Sequence, residues 1–145
     1  MTKLEVLEFS RKFPAVWMAT VEDDKPHVRG MMMWFADETG FYFHTASCKR
    51  LAQQMQKNPN MELAFFDPGS GPGAGRMLRI SGKAEEVTSP VLTERLYKER
   101  PWVEGLAKNM PAGSRLVIFR LGHAQAEFWN MAVNGREGEQ AKIVL

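Results

Sequence analysis

The sequence predicts a mainly β fold: six or seven largely antiparallel strands closing as a small barrel, with three or four helices inserted between them. Three observations carry this expectation. Strand-like runs recur along the chain and are separated by turn clusters too short for parallel crossovers. The cleanest run, Met77 to Val87, places Leu78, Ile80, Gly82 and Ala84 on one face and Arg79, Ser81, Lys83 and Glu85 on the other. Closure, finally, is what removes the unpaired edges that such a sheet would otherwise present to water.

The elements follow in order. Leu4 to Phe13 spaces its apolar residues by three and four and then meets Pro14, a short amphipathic helix. Ala15 to Glu22 and His27 to Phe35 flank the turn cluster Asp23-Asp24-Lys25-Pro26 and read as a hairpin. After Asp37-Glu38-Thr39-Gly40, Phe41 to Thr45 makes a third strand, so a meander is expected. Cys48, Leu51, Ala52 and Met55 then share one face of a helix, with Ser47 as its N-cap and Asn58-Pro59-Asn60 as its stop. By that spacing Cys48 belongs to the packed face. Met61 to Asp67 is a strand, and residues 68–75, rich in glycine and proline, form a loop. Beyond the alternating strand, Ser89-Pro90 opens a helix that Arg100-Pro101 ends. A short helix within Trp102 to Met110 comes next, followed by strands at Arg115 to Arg120, Ala124 to Met131 and Ala141 to Leu145.

Composition narrows the function classes. At 145 residues the chain is one domain, residues 1–145. A single cysteine, Cys48, cannot form an internal disulfide or a cysteine-based zinc site, and a reducing cytoplasm is the expected compartment. Apolar runs such as Met31 to Ala36 are far below the roughly 20 residues of a membrane-spanning helix, and the polar start has no signal-peptide core. Neither a membrane nor an export route is expected. With 19 Lys/Arg against 17 Asp/Glu, the charge of +2 lacks the basic footprint of nucleic-acid binding. That argues against an oligonucleotide-binding barrel with aromatic stacking platforms.

Two segments could carry chemistry. At Thr45-Ala46-Ser47-Cys48-Lys49-Arg50 a strand hands over to a helix, bringing free amides, two hydroxyls and two cations together in a way that suits a phosphate. An ordinary capped helix with solvated cations is the plainer alternative. In His27-Val28-Arg29-Gly30-Met31-Met32-Met33-Trp34, Arg29, Met31 and Met33 share a face, and Gly30 leaves the backbone open to a flat ring. The plainer alternative there is a bulky core strand in which Arg29 needs a partner. His27 and His44 could relay a proton, or be satisfied polar residues at strand ends.

In order along the chain, Ala19-Thr20-Val21, Pro26 to Met31, Phe41 to Thr45, Lys49, Asn58-Pro59-Asn60 and Leu78 to Ala84 resemble the pyridoxamine 5'-phosphate oxidase-like FMN-binding split barrels. The likeness is to the general stress protein or flavin-nucleotide-binding type, and Glu127-Phe128-Trp129 is similar to that family's flavin-side aromatic. The resemblance implies a homodimeric split barrel with FMN in the groove between subunits. It implies that Arg29, Gly30, Met31 and Met32 lie along the flavin and its tail, with His44 and Thr45 beside the ring or ribityl chain. Ser47, Lys49 and Arg50 would meet the phosphate, Arg79 the flavin's polar edge or phosphate, and Trp129 would come from the second subunit. The function implied is an FMN-dependent oxidoreductase or flavin reductase acting on an unidentified small substrate; the alternative is a non-catalytic flavin-binding or stress-related protein that sequesters the cofactor. Haem and deazaflavin are used by other relatives.

The chain also departs from the true oxidases. After Trp129 it runs Asn130-Met131-Ala132-Val133-Asn134-Gly135-Arg136, without their Arg-Leu-His substrate clamp. Trp34 stands where they place a lysine, and Leu51 where many relatives have a basic phosphate ligand. Cofactor and fold are therefore expected to carry over, and the vitamin B6 substrate is not.

Overall fold

The computed structural model describes residues 1–145. Thr2 starts α1 (Lys3–Lys12) through a capping box with Glu5, and α1 buries Val6 and Phe9 against the sheet. β1 (Ala15–Glu22) and β2 (Lys25–Met32) form the expected hairpin, with Asp23 and Asp24 both at positive φ as a two-residue turn requires. Then come β3 (Phe35–Asp37), β4 (Gly40–Ala46), α2 (Arg50–Lys57), β5 (Asn60–Asp67) and β6 (Arg76–Glu86). α3 (Pro90–Glu99), α4 (Pro101–Lys108), β7 (Leu116–Asn130), two 3₁₀ turns and β8 (Ile143–Val144) complete the chain.

The main sheet runs β2-β1-β5-β6-β7-β4-β3, with β8 on β7 and every pairing antiparallel. Its two outer strands, β2 and β3, are consecutive in the chain and separated only by Met33 and Trp34. The sheet therefore curls until its ends meet, and its seam is closed by this covalent link instead of by a ladder. The Met33 N–H donates to the Pro14 carbonyl and the Trp34 N–H to the Tyr42 carbonyl, which ties the link to both sides. Inside lie Met18, Phe43, Leu63, Phe65, Leu78 and Ile80, all shielded from water. Outside, α3 and α4 cover the back of β4 and β7 through Tyr42, Leu96, Val103 and Ile118. No helix is long and apolar enough to cross a membrane.

Several expectations are corrected. The sheet has eight strands, not six or seven: β3, only three residues long, carries too little pattern to be read as a strand of its own, whereas β8 falls within the strand expected at Ala141 to Leu145. The meander fails: β4 pairs with β3 and β7, never with β2. The strands expected at Arg115 to Arg120 and Ala124 to Met131 are one strand, β7. Gly122 and His123 sit mid-strand at a register shift opposite Gly82, and His123 has φ +47°. A side chain at Gly82 would meet the Gly122 carbonyl at 2.7 Å, so this irregularity depends on a missing Cβ. The helix expected from Cys48 begins at Arg50. Ser47 is not its cap: its hydroxyl accepts from the Arg115 N–H at 2.9 Å, which fastens the loop to the start of β7. Cys48 is consequently exposed, not packed.

Candidate functional site

The alternation of β2 turns Arg29 and Met31 inward and leaves Val28, Gly30 and Met32 exposed. Arg29 reaches under the sheet edge toward α2. Its Nη1 donates to Thr20 Oγ1 at 2.8 Å and more weakly to the Met18 carbonyl at 3.4 Å, and its Nη2 donates to Gln54 Oε1 at 2.7 Å. Burial pulls its pKa below the ordinary guanidinium value, yet an arginine stays charged at neutral pH. The partner that burial demands is thus present, and it is neutral. No carboxylate meets this cation.

A second cation is held the same way. Arg100, at the junction of α3 and α4, donates from Nη1 to His44 Nε2 at 3.0 Å and from Nη2 to the Met33 carbonyl at 3.0 Å. Its neighbour Glu99 is engaged elsewhere, accepting from Arg95 at 2.8 Å and from Trp34 Nε1 at 2.7 Å. A guanidinium only donates, so Nε2 of His44 is the bare nitrogen and its proton sits on Nδ1. Burial, then the charges of Arg100 and Lys49, push the His44 pKa down to about 4. The imidazole is neutral at physiological pH, which is the satisfied-polar reading of this residue and argues against a proton relay near pH 7.

Between the end of β4, the loop to α2 and the inner side of α4 lies a cleft of about 350 Å³. His44, Thr45, Lys49, Val103, Leu106 and Met110 are among its walls. Lys49 and Arg50 are exposed and form no ion pair. The cleft therefore combines apolar walls, a neutral histidine and an unneutralised ammonium, a combination that favours a flat, partly apolar anion. A second pocket of about 230 Å³, at the opposite end of β4 under α1, mixes Lys3 with Asp37 and Glu38 and assembles no such cationic rim.

The structure thus gathers His44, Thr45 and Lys49 around one cleft and puts Arg29 and Met31 on the inward side of the adjoining edge strand. It does not bring the other predicted residues to the same place within one protomer. Gly30 and Met32 face outward, beside Trp17 on β1. Arg79 lies on the outer face of β6, paired with Glu62 at 3.2 Å and Glu127 at 2.7 Å, as a solvated sheet face would have it. Trp129 is half-buried and donates from Nε1 to Glu137 at 3.1 Å. Ser47 spends its hydroxyl on Arg115. Sequence reasoning missed Arg100, which reads only as a helix terminator before proline, and Gln54, which reads as surface on a helix. A charged residue at the end of an amphipathic helix, followed by a break, was the available signal for Arg100.

Three comparisons bear on this geometry. A family model described as pyridoxamine 5'-phosphate oxidase matches residues 2–130. The pyridoxine/pyridoxamine 5'-phosphate oxidase of Pseudomonas putida (strain W619) is 34% identical over 107 residues, covering 73% of this chain and 47% of that protein. The chain spans about half the length of the curated relatives it matches. Among solved structures, a NimC/NimA family protein from Clostridium acetobutylicum superposes with a TM-score of 0.70 at 20% identity, covering 98% of this chain and 92% of that one. A FAD-binding protein from Mesorhizobium loti superposes at 0.62 and 12% identity, covering 87% and 92%. These likenesses establish the split-barrel fold.

Proposed function

This chain belongs to the pyridoxamine 5'-phosphate oxidase family, and we propose that it binds FMN and acts as an FMN-dependent oxidoreductase or flavin reductase on an unidentified small substrate. One observation carries the reading: Arg29 and Arg100, both partly buried, are held only by neutral acceptors, and unpaired Lys49 lies beside His44, the partner of Arg100. Cations kept in that condition are matched to an anion the protein itself does not supply. The names of the relatives support a flavin: a family of phosphate-ester oxidases and a FAD-binding neighbour. The single cysteine fits a reducing cytoplasm.

When bound, a flavin supplies a two-electron acceptor that needs orientation and tuning from the protein. The chain's own residues do that work. Arg29 and Lys49 bind the anionic tail, the neutral imidazole of His44 and the hydroxyl of Thr45 border the ring side, and Val103, Leu106 and Met110 exclude water. Arg100 holds His44 in one tautomer and adds positive potential.

A second copy of the chain completes the groove in this proposal. β2 is an edge strand with one open hydrogen-bonding side, and its outer face joins exposed Trp17, Val28 and Met32. Such a patch on an open edge marks an association surface. The homodimer would bring Gly30, Met32 and the second copy's Trp129 toward the flavin.

Titrating the purified protein with FMN and following flavin fluorescence tests the cofactor; the absence of saturable quenching would sink the proposal. The absorption spectrum of the protein as isolated separates flavin from haem or deazaflavin. Anaerobic reduction by NADH or NADPH then separates an enzyme from a carrier, because a protein that merely sequesters FMN turns over with neither donor.

A further inference from the structure

We infer that Gln54 is a positioning residue that leaves the charge of Arg29 uncompensated for the ligand, by holding the guanidinium with a neutral amide where a carboxylate would pair with it. The inference rests on the reading of Arg29 as a ligand of the FMN phosphate.

Gln54 lies on α2 and is 1% exposed, as is Thr20 on β1. Its Oε1 accepts from Thr20 Oγ1 at 2.7 Å and from Arg29 Nη2 at 2.7 Å, while its Nε2 donates to Glu22 Oε2 at 3.1 Å. Both ends of the amide are therefore committed. Turning it over would set its NH₂ against the guanidinium and its oxygen against a carboxylate. Glu22 is in turn paired with Lys57 at 3.0 Å. In this chain of contacts the first carboxylate stands one full side chain away from Arg29 and is already neutralised.

Shape alone does not require glutamine. A glutamate at position 54 has the same length and would accept the same two hydrogen bonds, while losing the donor to Glu22. Toward Arg29, what differs is charge. A buried carboxylate 2.7 Å from Arg29 would form a charge-assisted pair, leaving less of the guanidinium's field for a ligand. The amide fixes the arginine's direction and leaves its charge unspent, and Arg29 Nε–H has no partner within the protein. Thr20 completes the clamp, accepting from Arg29 and donating to Gln54 through one hydroxyl.

The test compares FMN with riboflavin, which has the same ring and no phosphate, on the wild-type protein and on Gln54→Glu, Thr20→Val and Arg29→Ala. Gln54→Glu is expected to bind FMN about 10- to 100-fold more weakly, the range of one charge-assisted contact, and riboflavin as well as wild type does. The decline of FMN affinity with ionic strength should be shallower in the same variant. Thr20→Val should lower the FMN-to-riboflavin affinity ratio severalfold. A purely structural role for Gln54 would weaken both ligands together. If Arg29→Ala lowers the ratio and Gln54→Glu leaves it at the wild-type value, the inference is overturned and the FMN reading stands. If Arg29→Ala leaves the ratio unchanged, the phosphate is not at Arg29, and the placement and the inference fall together. Should Gln54→Glu not fold, Thr20→Val decides: an unchanged ratio there overturns the inference.

Discussion

His44 gives the residue scale its clearest pH signature. With its pKa near 4 in the fold and near 6.5 when unfolded, only the unfolded chain takes up a proton between those values. Stability is then expected to fall as pH drops from about 6.5 to about 4, and the histidine's contribution to level off below that. Melting temperature against pH should show the slope, and His44→Gln, which cannot titrate, should flatten it; an equal slope in both proteins would remove His44 as the cause. On the binding side, Lys49→Ala and Arg100→Ala should each weaken FMN about 10-fold or more if both cations face the anion. Arg29 and Lys49 were visible in the sequence because cations beside a glycine or a helix start are conspicuous. Arg100 and Gln54 were not, because what makes them notable is the identity of partners 56 and 25 residues away.

At the scale of elements, local chemistry and tertiary demand can be told apart. α3 is specified locally: Ser89 accepts from the Leu92 N–H at 3.2 Å and Pro90 follows at the first helical position. Ser89→Ala should cost about 1 kcal/mol in a denaturant titration. Leu96, fully shielded between α3 and the back of the barrel, should cost about 2–5 kcal/mol as alanine. The middle of β7 is specified by contact. Gly82→Ala would drive a Cβ into the Gly122 carbonyl, so it should destabilise more than the loss of the α3 cap, despite removing no interaction. A melt equal to wild type would show that the strand slides to make room. α2 obeys both rules: its apolar spacing was readable, but its start moved to Arg50 because Ser47 is needed by β7.

For the whole molecule, the decisive feature is the seam. Met33 and Trp34 join the two edge strands of an otherwise open sheet, and the edge so left, β2, carries the exposed apolar face of Trp17, Val28 and Met32. In the proposed dimer, Trp17→Glu should shift the protein to monomer in sedimentation velocity without unfolding it, because Trp17 is 61% exposed in the single protomer. A variant that remains dimeric would place the interface elsewhere. It should also lose FMN affinity if the second copy completes the groove.

The sequence by itself determined the antiparallel β class, the α1 and α3 boundaries, the β1–β2 hairpin and the family likeness. Each of these depends on residues within a few positions of one another, or on motifs in linear order. Tertiary structure decided which strands became neighbours, that two expected strands are one, and that Cys48 is exposed. It also decided that Arg79 meets Glu62 and Glu127 while Arg29 meets no acid at all. The physical reason is common to all of these: pairing, burial and the charge of a partner are set by groups far apart in the chain, and no local period encodes them.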